Sequence, residues 1–183
     1  MCEILKKLQG KTAEQLLIEY GMQNDIPMDI EKLLRKIGIE VLPAPFEDIE
    51  EEIGLEKGDI LGATLINDEA VTIFYRKEFY ENRRKFIIAH ELAHCCLHAD
   101  SSKATHIQLR RESEENSLLE GEASVFAGQL LIPEKHLKAE HDKFIVPSLR
   151  ALAEIFEVST SVMGARMDYL NMPYYKDVQL SEG

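Results

Sequence analysis

Residues 90–94 read His-Glu-Leu-Ala-His, in which two histidines flank a glutamate and two apolar residues. On an α-helix, His90 and His94 lie one turn apart and only about 40° apart around the axis. Two imidazoles in this arrangement can bind one zinc ion, and Glu91 beside them is placed to activate a water molecule. The spacing therefore predicts a metal site with hydrolytic chemistry.

The sequence around this motif predicts a buried helix, because apolar side chains surround the axis on nearly every side over residues 86–97. Buried histidines and a buried glutamate must be satisfied, since an unpaired polar group costs several kcal/mol. A metal ion would satisfy them directly. The alternative is a core helix whose histidines are hydrogen-bonded without a metal, and a third ligand would distinguish the two.

A second predicted helix, ended by Pro133, offers two glutamates as the third ligand. Glu120 lies about 50° from the centre of its apolar face, whereas Glu122 lies about 110° away. A metal buried against the first helix must be approached from the inner face. We therefore predict that Glu120 is the ligand and that Glu122 is solvated. Two histidines and one carboxylate leave a position open for water, as in catalytic rather than structural zinc sites.

His98 lies two turns beyond His90 and about 80° around the axis, too far to share the ion. We expect it to support a ligand, to contact substrate, or to be an ordinary structural histidine. Cys95 and Cys96 point away from the predicted metal and are expected to be small core residues.

The composition restricts the class of protein. With 183 residues and 45% hydrophobic content, the chain is long enough for one well-packed domain, with or without a small appendage. Its formal charge of −12 disfavours nucleic acid and anionic membranes as partners. Neither a membrane-spanning run nor a signal peptide is recognisable. Three cysteines, two of them adjacent, do not form a disulfide framework. We predict a cytoplasmic protein, and the sequence does not indicate its oligomeric state.

The remaining elements are predicted from periodicity and turn signals. Helices are expected over residues 12–20 and 27–37, a short strand over 39–42, and a hairpin of strands 63–66 and 70–75. The acidic stretch 46–57 is expected to be a solvated loop or short helix. Residues 99–117 form a long polar connection, and either a lid over the site or disorder is compatible with that composition.

Residues 148–170 have the spacing of two helices joined by a tight turn, with Ser159 at the start of the second helix. This is a helix-turn-helix pattern. Reading DNA would require basic and amide residues on the second helix, where only Arg166 is basic. Packing or recognition of a repressor is therefore the preferred interpretation.

In three places the chain resembles the ImmA/IrrE family of metallopeptidases: the run 84–94, His98, and the later pattern Glu120, Ala123, Phe126, Ala127, Leu130, Leu131 and Pro133. The resemblance covers residues 62–133 and extends more weakly into the C-terminal helices. It implies an α+β fold with a zincin-like core, in which a small twisted sheet packs on a buried metal helix. The expected divisions are a peptidase domain (1–143), a helix-turn-helix-like segment packed on it (144–175) and a tail (176–183).

The resemblance also implies the roles of individual residues. His90, His94 and Glu120 would bind Zn²⁺, and Glu91 would be the catalytic base. Position 124 holds Ser124 where the family usually has Asn, one turn beyond Glu120. Its hydroxyl can still orient a ligand imidazole through a hydrogen bond. Together with His98, Ser124 is therefore a candidate for supporting the metal ligands.

Family members are regulatory proteases that cut helix-turn-helix repressors of prophages, mobile elements or stress genes. We thus expect an intracellular zinc endopeptidase with such a repressor as its substrate. One alternative is a non-catalytic module that binds a transcription factor and uses zinc as structural glue. A second is a DNA-binding regulator that uses the C-terminal helices.

The resemblance also suggests how substrate is held, because zincins commonly pair substrate with an exposed strand beside the metal helix. Residues 62–66 include small Gly62 and Ala63, which would let another backbone approach closely. We predict that 62–66 is the edge strand over the site. The alternative is that 70–75 or 39–42 forms the edge.

Overall fold

A computed structural model describes residues 2–99, 106–111 and 118–176, with only the backbone described for 106–111. The helices are α1 (Glu3–Leu8), α2 (Ala13–Glu19), α3 (Ile30–Ile37), α4 (Glu47–Glu52), α5 (Glu81–Leu97), α6 (Leu118–Leu131), α7 (Glu134–His141), α8 (Leu149–Phe156) and α9 (Thr160–Tyr169). The strands are β1 (Glu40–Ala44), β2 (Ile60–Ile66), β3 (Val71–Arg76) and β4 (His106–Arg111). The architecture is mixed α and β, consistent with a zincin-like domain.

The strands form one sheet in the order β1-β3-β2-β4. β1 pairs with β3 in parallel, whereas β2 pairs antiparallel with both β3 and β4. The predicted hairpin is confirmed as β2 and β3. Its turn is held by Asn67, whose side-chain oxygen accepts hydrogen bonds from the backbone N–H groups of Glu69 and Ala70.

The prediction that residues 62–66 form an edge strand is wrong. Gly62 pairs with Tyr75 on one side and with Arg110 on the other, so β2 lies inside the sheet and β4 forms the edge next to it. The small residue at position 62 serves a different close approach. A Cβ atom there would lie 2.8 Å from Cγ2 of Ile87, so this glycine lets β2 pack directly against α5.

The edge strand β4 lies within the connection 99–117, whose composition predicts either a lid or disorder. Ile107 and Leu109 alternate with polar residues there, a weak strand signal that the charged flanks obscure. The strand forms by pairing with β2 over a register that includes Ile107 opposite Leu65. Residues 100–105 and 112–117 lie outside the described residues, so the prediction of a lid or disorder is not tested there.

Helix α5 is buried over most of its length and packs against the sheet, α6, α1 and α3. Ile88, Ala89, Leu92 and Ala93 on this helix have no exposed surface. Over residues 87–96 the helix therefore crosses the core with no solvent-exposed face, as the apolar run around the motif predicted. Helices α2 and α3 confirm the two predicted N-terminal helices within a few residues, and α1 was not predicted.

The acidic stretch 46–57 does contain the expected short helix, α4, but it is not simply solvated. Glu50 on this helix is buried, with 1% of its surface exposed. The acidic composition of the stretch gave no sign of this, because the groups that bind Glu50 lie outside it, at Gly58, at Ile60 on β2 and at Arg76 on β3.

The predicted pair of C-terminal helices is present as α8 and α9, and Ser159 begins the second one as expected. Its hydroxyl accepts a hydrogen bond from the backbone N–H of Val162. Arg166 on α9 is buried and donates from Nε to the carbonyl of Ile132, the residue directly after α6. This basic residue thus fastens α9 to the domain. Classification of the pair as a helix-turn-helix-like segment stays a prediction, as do its role in packing or repressor recognition and the domain boundaries.

Residues 177–183 of the predicted tail lie outside the described residues. In the part of the chain that the structure describes, none of the helices has both the length and the apolar character needed to cross a bilayer.

Candidate metal centre

The two motif histidines lie side by side on the buried part of α5. His90 is fully buried and His94 is 2% exposed. Their Nε2 atoms are 3.0 Å apart, and the rings meet edge to face with centroids 4.8 Å apart. The i, i+4 spacing on one helix produces this arrangement, because side chains one turn apart project from the same face.

Helix α6 packs against α5 and supplies the third polar group. Its Glu120 is 8% exposed. Oε2 of this carboxylate lies 2.8 Å from Nε2 of His90, and Oε1 lies 3.1 Å from Nε2 of His94. His90, His94 and Glu120 therefore form a group within metal-binding distance, as predicted. Glu122 is not in this group.

The geometry of the group fits a divalent metal ion. In a tetrahedral site with bonds of about 2.0–2.1 Å, neighbouring ligand atoms are about 3.3 Å apart. The Nε2 atoms of His90 and His94, 3.0 Å apart, fall slightly below that edge length, and each lies within 3.1 Å of one oxygen of Glu120. Two imidazole nitrogens and a carboxylate suit zinc among several transition metals. Three ligands from the protein leave a tetrahedral position for water or substrate.

Both predicted supporting residues contact the histidines. Oγ of Ser124 lies 3.3 Å from Nδ1 of His90, on the side of the ring opposite Glu120. Nδ1 of His98 lies 3.0 Å from Nδ1 of His94, while its Nε2 lies 3.0 Å from Oε2 of Glu122. Glu122 is half-exposed, as expected of a solvated residue, but it also binds His98. Helical angles alone did not reveal this contact, since a glutamate side chain is long enough to reach sideways.

Glu91 is fully buried between α5 and the sheet. The hydroxyl of Thr64 on β2 donates a 2.6 Å hydrogen bond to its Oε2. Gly62 lies on the same face of β2, and a Cβ atom there would lie 3.3 Å from Oε1 of Glu91. Sequence analysis identified neither residue as a neighbour of Glu91. The sequence signal was that Gly62 and Thr64 alternate on one face of the first strand of the hairpin that precedes the motif helix.

The other side of α5 carries Cys95 and Cys96, which are buried free thiols as predicted. Burial raises the pKa of Cys95 well above its ordinary value and that of Cys96 to about 12. Both thiols thus stay protonated at neutral pH, which makes them poor metal ligands and suits them to the core.

Comparison with known proteins gives one family. The family described as IrrE N-terminal-like domain, Peptidase_M78, matches residues 35–168, which is more than half of the chain and includes the whole His-His-Glu group. A search of curated proteins found no match. The match confirms the resemblance inferred from the sequence motifs. The chain therefore belongs to the ImmA/IrrE family of metallopeptidases.

Proposed function

We propose that this protein is a zinc-dependent endopeptidase of the cytoplasm whose substrate is a helix-turn-helix transcriptional repressor. The observation that carries the proposal is the convergence of His90, His94 and Glu120, with Glu91 on the same turn of α5. Family membership supports the peptidase class. Three free cysteines support a reducing compartment.

The reaction assigned to this site is hydrolysis of a peptide bond. Zinc, held by His90, His94 and Glu120, would polarise the scissile carbonyl and make the attacking water more acidic. Glu91 is the general base, taking a proton from that water and delivering it to the leaving amine. Thr64 holds one oxygen of Glu91 by a hydrogen bond, which limits rotation of the carboxylate. Burial of α5 keeps bulk water away from the base.

The negative net charge of this chain supports the proposal that its substrate is a DNA-binding repressor. Helix-turn-helix proteins that bind DNA carry basic surfaces, because they neutralise phosphates. This chain has a formal charge of −12. Attraction between opposite charges speeds encounter and favours such partners over acidic ones. Exposed apolar residues of the segment between α7 and α8, such as Phe144 and Ile145, offer further contact area.

The test is incubation of the purified protein, loaded with zinc, with helix-turn-helix repressors encoded near its own gene. Mass spectrometry then identifies the products. We expect Glu91→Gln to bind metal normally and to cleave about 10²–10⁴-fold more slowly, as for loss of a general base. Glu134→Gln is the matched control, because Glu134 is an exposed glutamate paired with Lys138. Cleavage by Glu91→Gln at the wild-type rate would contradict the assignment of the base.

The same variant separates the proposal from the non-catalytic binding module. If Glu91→Gln still relieves repression in cells and no cleavage product forms with wild type, the protein acts by capture and the endopeptidase proposal is wrong. The DNA-binding alternative predicts salt-dependent binding to duplex DNA. Its absence at low salt would dismiss that alternative.

A further inference from the structure

A line of polar contacts leads outward from His94 to the protein surface. Nδ1 of His94 is 3.0 Å from Nδ1 of His98, and Nε2 of His98 is 3.0 Å from Oε2 of Glu122. The side chain of His98 is 10% exposed, whereas that of Glu122 is 52% exposed. The line begins on α5 and ends on α6, the two helices that supply the predicted ligands.

The proton positions along this line follow from one requirement. When Nε2 of His94 binds a metal ion, its lone pair is used there and its proton must sit on Nδ1. That N–H donates to His98, so Nδ1 of His98 must present a lone pair. The proton of a neutral His98 is then on Nε2 and needs an acceptor. Glu122 supplies that acceptor, and every donor in the line therefore has a partner.

The backbone at the end of α5 places His98 for this role. The N–H groups of His98 and Ala99 both donate to the carbonyl of His94, at 2.9 and 2.8 Å. This closes the helix beside the ligand and brings the two rings to 5.1 Å between centroids. Because α5 ends at Leu97, no further turn of this helix supports the ring of His98. The contact with Glu122 on α6 supports the ring of His98 instead.

We propose that His98 and Glu122 are positioning residues that orient His94 for metal binding, with Glu122 fixing the tautomer and ring angle of His98. The inference concerns the metal site of the proposed peptidase, but it predicts metal affinity and therefore does not depend on peptidase activity. Hydrogen-bond partners of metal-binding histidines typically contribute about 10–100-fold to metal affinity or activity. Here His98 lies between the ligand His94 and Glu122, so the effect of Glu122 on metal affinity acts through one additional residue.

The experiment measures zinc affinity by competition with a chromogenic chelator. We expect His98→Phe to weaken affinity by about 10–100-fold, and Glu122→Ala to weaken it less, toward the lower end of that range, because Glu122 is half-exposed. Two conservative single variants are predicted to keep zinc affinity close to that of the wild type. His98→Asn places a side-chain oxygen near the former Nδ1 position, and Glu122→Gln keeps an oxygen that accepts from Nε2 of His98.

A second readout reports the ligand geometry itself. Cobalt(II) substituted for zinc gives a visible absorption spectrum that depends on coordination geometry. We expect it to change in His98→Phe and Glu122→Ala and to resemble wild type in Glu122→Gln. Glu134→Ala, which removes an exposed charge elsewhere, controls for net charge and should change neither measurement.

The outcomes separate positioning from a general effect on folding. Since Glu122 is half-exposed, its substitution is not expected to prevent folding, and the unfolding free energy of the metal-free protein checks this. Wild-type zinc affinity and an unchanged cobalt spectrum in Glu122→Ala would overturn the role of Glu122. The same results in His98→Phe would overturn the proposal. If the wild-type protein had no peptidase activity but His98→Phe and Glu122→Ala weakened zinc affinity as predicted, the proposed function would be contradicted and this inference would stand.

Discussion

Two buried carboxylates in this protein, those of Glu50 and Glu120, face opposite kinds of neighbouring groups. Glu50 on α4 accepts hydrogen bonds from the backbone N–H groups of Gly58 and Ile60, at 3.1 and 2.7 Å, and pairs with Arg76 of β3. Burial by itself would raise the pKa of Glu50, but these hydrogen bonds and the guanidinium lower it. Its negative charge is therefore balanced by the protein itself.

Glu120 lies instead against two imidazoles. In their metal-binding tautomer, His90 and His94 present lone pairs toward the same point as the carboxylate. Donors and acceptors balance around Glu50, whereas this tautomer of the histidines brings acceptors together around Glu120, and a cation would satisfy them. The comparison teaches that burial of a carboxylate does not by itself mark a functional site. The chemical type of the facing atoms distinguishes a structural cluster from a metal site.

The largest expected effect comes from removing the cation of the structural cluster. Arg76→Met leaves the charge of Glu50 buried without its partner, which typically costs about 3–5 kcal/mol. It also removes the hydrogen bond from Nε of Arg76 to the carbonyl of Ile60, at the start of β2. Urea unfolding measures the loss, and Glu50→Gln combined with Arg76→Met should lose less than the sum of the single changes. A loss of only about 0–1 kcal/mol, as for an exposed ion pair, would show that Glu50 does not depend on Arg76 to balance its charge. The contrast with Glu120 would then fail.

The second-largest effect is expected when zinc is added to the group formed by His90, His94 and Glu120. Free zinc at about 100 times its Kd should raise the free energy of unfolding by about 2.7 kcal/mol, because the ion binds the folded state. The increase should disappear in His90→Ala and in Glu120→Gln. It should persist in Arg76→Met, whose defect lies in the separate Glu50 cluster. A full zinc-dependent increase in Glu120→Gln, together with its loss in Glu122→Gln, would make Glu122 rather than Glu120 the ligand.

The smallest effect on stability concerns the buried carboxylate that belongs to neither cluster. Thr64→Val removes the hydroxyl that donates to Glu91, and we expect a loss of about 1–3 kcal/mol. Zinc affinity should not change, whereas the rate of cleavage should fall because Glu91 is no longer held in one orientation. Thr64→Ser keeps the donor and is the matched control. Equal cleavage rates in Thr64→Val and wild type would show that this hydrogen bond has only a structural role.

The candidate metal group could be predicted from the sequence because each of its two helices carries a local signal, although the packing of α6 against α5 brings Glu120 to the histidines. His90 and His94 are related by one helical turn, and the apolar run around them predicts burial without reference to any other element. Glu120 was preferred to Glu122 from its angle to the apolar face of its own helix. The family motifs lie in the same short runs. The hairpin was likewise predictable, since its strands and the Asn67 turn are contiguous.

Only the tertiary structure decided what surrounds these residues. The approach of Thr64 to Glu91, of Glu122 to His98 and of Arg76 to Glu50 joins elements that are 24 to 27 residues apart. Which strand lies outside β2 also depended on a pairing between distant segments, and it placed β4 where we had expected a free edge. Helical and strand periodicities relate residues within one element. They do not specify how far one side chain reaches toward another element, because that is settled by the packing of the elements together.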